Sequence, residues 1–428
     1  MTERRSNEGP KDSSGAGTYV AEVRGDLLDG IRVVELGLFA LVPAAAAVLA
    51  EWGADVVKIE HPVEGDPVRG LAAWGIKPGT GGFSYMWEVC NRGKRSVGLD
   101  VGHPDGREVL LSMLEGADVF LTSFLPSARR RLGIDVADVI ARNPTIIYGR
   151  GSGQGPKGEE AEAGGFDGAA YWNRSGTGSA AMPVGSTEPV ALPGPGFGDI
   201  QTGMHLAGGV IAALWRRDRT GKGAVVDASL LASGLWAMQG SLAGAAAAGL
   251  AELPKRARSD VTNPLVVAYP TADGRFVSLM MLGSDRYWPG LCQAIGRPDL
   301  VADPRFASAR DRAANSAACV AELDAVFSAK PLDHWRTALA GQEGPWAVVA
   351  HVAEAATDEQ ALVNGYVQDV DYGDGRSLPM VGAPVQFDEA APALRPAPEH
   401  GAHTEEVLLE LGYDWDAISN LKAAGAVL

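Results

Sequence analysis

From Leu27 onward the chain alternates between short β-branched runs and longer stretches with helical spacing. Ile31–Leu36 is an apolar, β-branched run of the kind that forms a buried strand. Pro43 opens a predicted helix that continues through Ala44–Ala47 to Trp52 and stops at Gly53, with proline at its start and glycine past its end. Residues 55–60 (DVVKIE) predict a second strand. Further strands are predicted at 95–101, 118–123 and 145–150, and a helix begins near Pro104. Alternation of this kind argues for an α/β fold with a parallel sheet covered by helices. Ligands of such sheets gather at the carboxyl ends of the strands.

The pattern then weakens. Residues 151–198 are dense in glycine, proline and serine and too long for a simple connection, which marks them as active-site loops. A helix is predicted from near Asp199 to Arg217, followed by strand into helix at 225–231 and an Ala-rich helix over 233–250. Beyond a polar linker at 254–263 come a turn at 272–274 and helices over 285–295, 318–327 and 333–339. A hairpin turning at 373–375 and a helix over 404–411 complete the pattern, with no internal repeat.

Length and charge narrow the functional classes. A chain of 428 residues exceeds one comfortable core, so two domains are expected. Its net charge of −16 disfavours nucleic acid and anionic membranes as partners. Cys90, Cys292 and Cys319 are far apart and form no CxxC pair, so neither a disulfide framework nor a zinc site is expected. Residues 1–25 are polar, lack the apolar core of a signal peptide and predict a disordered tail. No apolar stretch is long enough to span a membrane, and a cytoplasmic location is expected.

Two carboxylates carry the candidate chemistry. Asp199 follows a glycine-rich loop and precedes a long apolar helix. One reading makes it a helix N-cap. The other makes it a nucleophile, kept ionised by the helix N-terminus and able to attack an acyl thioester. Asp167, in Ala163-Gly164-Gly165-Phe166-Asp167 with Tyr171 and Trp172 behind it, reads either as a loop or cap residue or as an acid in a pocket wall. Basic clusters at 91–96 and at Arg129-Arg130-Arg131 read as solvated faces or as phosphate contacts. The seven histidines show no metal-ligand spacing, and no G-x-S-x-G elbow or P-loop occurs.

Several segments together resemble the class III CoA-transferases, a family that includes formyl-CoA:oxalate and carnitine CoA-transferases and α-methylacyl-CoA racemase. They are Leu28-Asp29-Gly30-Ile31-Arg32-Val33-Val34-Glu35-Leu36, Gly53-Ala54-Asp55-Val56-Val57-Lys58-Ile59-Glu60 and Asn91 through Asp100. Gly198-Asp199 with Thr202-Gly203, Arg219-Thr220-Gly221-Lys222-Gly223, Asp303-Pro304-Arg305-Phe306 and Gly401-Ala402-His403-Thr404-Glu405 extend the resemblance from Leu27 to the C-terminus.

The resemblance implies a Rossmann-like large domain built from residues 26–224 and 345–428, with linkers and a smaller α+β domain over 225–344. It also implies an interlocked homodimer. Asp199 takes the place of the family's nucleophile, and Asp167 remains as an accessory acid. His61, Leu99, Ser123, Phe124 and Arg131 match CoA-contacting positions, although His61 stands where the family usually has arginine. The implied reaction moves CoA from an acyl-CoA donor to a carboxylic acid through an aspartyl-CoA thioester. Glycine-loop amides would stabilise the oxyanions, and neither metal nor redox cofactor takes part.

Oxalate-using members carry glutamine where this chain has Ala40, and their glycine-rich loop is replaced by Val261-Thr262-Asn263-Pro264. A larger, less polar acyl group is therefore expected. The alternative reading is an α-methylacyl-CoA racemase or epimerase using an aspartate at the position of Asp167 and a histidine partner. Gly165-Phe166-Asp167 replaces the Gly-His-Asp of those relatives, and no histidine occurs between His103 and His205. A third reading, a CoA-binding protein without catalysis, leaves the Gly-Asp step unexplained.

Overall fold

The computed structural model describes residues 27–71 and 83–428. The expected tail at 1–25 lies outside them. Six parallel strands form the main sheet: β1 (Arg32–Leu36), β2 (Asp55–Glu60), β3 (Arg95–Gly98), β4 (Val119–Thr122), β5 (Ile147–Ser152) and β6 (Ala224–Ser229). Their order, β3-β2-β1-β4-β5-β6, is that of the doubly wound dinucleotide-binding sheet, with the switch point between β1 and β4. The apolar runs of β1, β2 and β4 are buried because helices cover both faces.

Among the described residues the first nine α-helices are α1 (Leu41–Glu51), α2 (Tyr85–Asn91), α3 (Pro104–Glu115), α4 (Pro126–Leu132), α5 (Val136–Arg142), α6 (Thr177–Ala181), α7 (Phe197–Thr220), α8 (Leu230–Ala237) and α9 (Gln239–Ala248). On one face α1 packs against α7, and the small side chains of α1 permit close approach. A Cβ at Gly203 of α7 would lie 2.8 Å from the Ala44 Cβ and 2.9 Å from the Leu41 carbonyl oxygen. The other face buries α3 and α5 together with C-terminal residues Val407, Leu408, Ile418 and Val427. The C-terminus also seals β3: the Leu428 N–H donates to the Gly98 carbonyl (3.0 Å), and Gly98 N–H to Thr404 Oγ1 (3.0 Å). An edge strand covered in this way cannot pair with another chain.

A separate apolar cluster runs from Leu265 to Leu339. It packs under a three-stranded antiparallel sheet of β7 (Ala268–Pro270), β8 (Phe276–Leu279) and β9 (Trp346–Val348), order β7-β8-β9. The hairpin β10 (Val367–Asp371) and β11 (Ser377–Val381) follows, turning where expected. The Ala-rich stretch expected as one helix over 233–250 is two, α8 and α9, which meet at Met238.

Candidate functional site

Asp199 lies in the first turn of α7, and Gly196, in the left-handed region at φ 69°, is the N-cap. The capping reading is therefore set aside: the Asp199 carboxyl forms no ion pair or hydrogen bond among the described residues. Burial pushes its pKa up to about 7, and the neighbouring charge of Asp167 adds to the rise. The helix N-terminus was expected to favour the ionised carboxylate, whereas desolvation and the like charge of Asp167 raise its pKa.

Asp167 is buried and fully engaged with backbone. One oxygen accepts from Gly168 N–H (2.8 Å) and the other from Gly198 N–H (3.2 Å), which fixes the start of α7. Behind it, residues Gly168–Asn173 form a π-helical turn, a local widening often found at functional sites. That turn lays Tyr171 against Gly198, and the Tyr171 hydroxyl donates to Gln201 Oε1 (2.8 Å). A Cβ at Gly198 would fall 2.5 Å from Tyr171 Cγ and 3.0 Å from Asp167 Cβ. We expect Gly198→Ala to push the first turn of α7 off Asp167 and lower thermal stability by about 1–3 kcal/mol. A melting temperature equal to that of the native protein would refute this packing.

Opposite α7 stands the loop between β1 and α1. Three backbone groups from Gly37 to Phe39 are held by side chains of β2, of the loop after it and of the residue that follows β4. Leu38 N–H donates to Ser123 Oγ (2.9 Å), Phe39 N–H to Asp66 Oδ1 (3.2 Å), and Lys58 Nζ to the Gly37 carbonyl (2.8 Å). Phe39 has φ 63°, a region that bulky side chains rarely adopt. Its ring meets Phe166 edge-on with centroids 5.4 Å apart, and Ala40 Cβ lies 3.9 Å from where a Cβ on Gly196 would be.

Beneath this loop is a buried ionic network. Glu35 accepts from Lys58 (2.9 Å) and Lys94 (2.6 Å), Lys58 also pairs with Asp66 (2.9 Å), and all four side chains are inaccessible or nearly so. Sequence reasoning missed these residues as a group. Their signal was present: a lone Glu in β1 and a lone Lys in β2, each inside an apolar strand, have to be paired there.

The other candidates line the carboxyl ends of the strands. His61 directly follows β2, and its Nδ1 accepts from the N–H groups of Val63 (3.3 Å) and Glu64 (3.1 Å). The proton is thereby placed on Nε2, leaving a donor. Ser123 and Phe124 follow β4, and Ser123 keeps its hydroxyl hydrogen to donate. Leu99, just past β3, buries its side chain in the core, bridges to Val427 and donates its N–H to the Glu60 carbonyl (2.7 Å), so only its carbonyl is on offer. Arg131 on α4 is exposed and has no ion pair among the described residues.

The basic clusters resolve differently from the phosphate-contact reading. In the first, Arg92 pairs with Glu51, Lys94 with Glu35, and Arg95 with Asp55, Glu406 and Glu410. In the second, Arg129 pairs with Asp135 and Arg130 with Glu162, which leaves Arg131 alone. Cys90, Cys292 and Cys319 are free and buried. Among the described residues no three His, Cys, Asp or Glu side chains are grouped to hold a metal ion, and no helix is long and apolar enough to cross a membrane.

This arrangement joins an unpaired carboxyl with a raised pKa, a strained loop and free donors at the carboxyl edge of a doubly wound sheet. Residues 28–404 match the family described as CoA-transferase family III. The chain belongs to that family. It is 33% identical over 402 residues to the (R)-2-hydroxy-4-methylpentanoate CoA-transferase of Clostridioides difficile, covering 94% of this chain and 99% of the relative. It is 30% identical over 401 residues to the cinnamoyl-CoA:phenyllactate CoA-transferase of Clostridium sporogenes, covering 93% and 96%. A crystal structure of a CAIB/BAIF family protein from Brucella suis superposes with a TM-score of 0.78 at 28% identity, covering 91% of this chain and all of that one. As a family III CoA-transferase, the protein is an enzyme that handles acyl-CoA and carboxylate substrates.

Proposed function

We propose that Asp199 is the nucleophile of a CoA transfer that passes through an aspartyl-CoA thioester. The observation that carries this reading is the state of Asp199: unpaired, in the first turn of α7 and shifted up to about 7. A carboxylate of that basicity attacks more readily than an ordinary one, yet is substantially ionised near neutral pH. Its oxygen adds to the donor thioester carbonyl, the C–S bond breaks, and CoA leaves as thiolate with a mixed anhydride left on Asp199. The thiolate then attacks the Asp199 carbonyl carbon, releasing the first acid and forming the aspartyl-CoA thioester. An acceptor carboxylate reverses the two steps. His61 Nε2, the Ser123 hydroxyl, backbone around Leu99 and Phe124, and Arg131 would hold CoA, Arg131 by pairing with its phosphates.

Ala40 in place of a polar residue favours a larger, apolar acyl group, and the acids named for the two relatives, one branched and one aromatic, support this. The same reading includes the interlocked homodimer and the division into residues 26–224 with 345–428 and residues 225–344. Trp215 and Trp236, 66% and 65% exposed on α7 and α8, support a second copy packing there.

The test is intact-protein mass spectrometry after mixing with a panel of acyl-CoAs that includes oxalyl-CoA, trapping with hydroxylamine and mapping the label. Modification at Asp199 is expected with branched or aromatic donors. Deuterium uptake at the α-carbon with no adduct would replace this reading by racemisation. The rate of adduct formation should rise with pH around an apparent pKa near 7, because the ionised form attacks. Asp167→Asn removes the like charge while burial remains, so its profile should shift to lower pH. An unmoved profile would refute the coupling.

A further inference from the structure

We propose that Asp66 and Lys58 are positioning residues for this transfer, acting by holding Phe39 in its left-handed conformation, with its ring on Phe166 and Ala40 beside the N-cap of α7. This inference rests on the proposed role of Asp199. Three observations carry it. Phe39 sits at φ 63°, where a bulky residue stays only if its surroundings over-determine it. The groups that do so are specific: Asp66 Oδ1 accepts from the Phe39 N–H, and Lys58 Nζ donates to the Gly37 carbonyl two residues earlier.

Those two side chains are themselves locked. Lys58 contacts Glu35 Oε1 and Asp66 Oδ2 at 2.9 Å each, and Asp66 also accepts from Val68 N–H (3.0 Å) while its own N–H donates to Glu60 Oε2 (3.1 Å). The charges are buried, and the hydrogen bonds of Lys58 and Asp66 tie the network to the loop. The loop in turn meets the reacting end of the molecule. Phe39 packs on Phe166, the residue before Asp167, and Ala40 lies beside Gly196, the N-cap of the helix that carries Asp199. A site wall displaced by about 1 Å can cost roughly 100-fold in rate while leaving binding elsewhere intact.

The discriminating experiment compares two replacements that both delete the Phe39 ring. Glycine adopts positive φ freely, whereas valine there is strongly disfavoured. Adduct formation on Asp199 should fall about 100-fold in Phe39→Val and only several-fold in Phe39→Gly. Affinity for free CoA, measured by calorimetry, should change by only several-fold in either, because of the expected contacts only Ser123 touches this loop, while His61 and Arg131 lie elsewhere. Asp66→Ala should lose about as much as Phe39→Val in the native background and only several-fold more when added to Phe39→Gly. Equal losses for valine and glycine, or fully additive losses for the double variant, would overturn the proposal. Because Phe39 is only half-buried, the Phe39 pair decides the matter even if Asp66→Ala does not fold. If the native protein forms no adduct with any acyl-CoA, the role of Asp199 fails instead, and the two failures are distinct.

Discussion

Replacing Asp199 by alanine is expected to abolish CoA transfer and to raise the melting temperature at pH 8. The first effect follows from removing the nucleophile, for which losses of roughly 10⁴-fold or more are the usual scale. CoA binding should survive, since His61, Ser123 and Arg131 stand on other elements. The second effect follows from the shift of Asp199 from an ordinary 3.8 to about 7. Between those values the folded chain holds a proton that the unfolded chain has lost, so folded stability falls as pH rises through this window. Above pH 7 the full penalty applies, and below about pH 4 none remains. Three pKa units would correspond to about 4 kcal/mol, and the partial exposure of the group reduces this to on the order of 1–2 kcal/mol. The gain of Asp199→Ala should therefore appear at pH 8 and vanish near pH 4 in paired thermal melts. Such a trade of stability for activity is a known mark of catalytic groups. Native-level transfer by the variant would end the nucleophile reading, and equal melting temperatures at pH 8 would contradict the burial of Asp199.

What could be read from the chain depended on how far apart the interacting residues lie. Strand β2 was legible to its exact ends, because Asp55–Glu60 is rich in β-branched residues, with Gly53 two residues before it and His61-Pro62 directly after it. Helix α7 and the turns at 272–274 and 373–375 were legible for the same local reason. Helices α4 and α5 were not: Arg129-Arg130-Arg131 reads as a charge run until Asp135 and Glu162 are seen to pair with it. The two readings of the cluster at 91–96 could not be separated in the sequence, because two partners of Arg95, Glu406 and Glu410, arrive from the far end of the chain. Asp199 stood out in the sequence as a candidate by its position after glycine, but the rise of its pKa could not be read there. Asp167 stands 32 residues away in sequence, and only the fold brings its charge close. The π-helical turn at Gly168–Asn173 leaves no periodic signature at all.

The buried network should show the largest stability effect in the molecule. Glu35 and Asp66 face Lys58 and Lys94, two carboxylates against two ammonium groups, shielded from bulk solvent. Glu35→Gln keeps the shape and removes one charge, leaving a net positive charge in the core. Breaking one partner of such a set costs about 3–5 kcal/mol, well above the median for surface pairs. The deficit should depend on pH in a definite sense. Burial already pulls Lys94 down to about 8, and loss of Glu35, which raises it, pulls it further. From that lowered value up to its unfolded pKa near 10.5, the unfolded chain binds more protons than the folded one, so the variant regains stability as pH rises. Urea melts should therefore find the deficit largest near pH 6–7 and smaller at pH 9. Adding Lys94→Met to Glu35→Gln removes the stranded charge and should restore more than half of the loss, because Met fills the same space. A Glu35→Gln deficit below about 1 kcal/mol, or a double variant no more stable than the single one, would show that the four charges do not act as a unit.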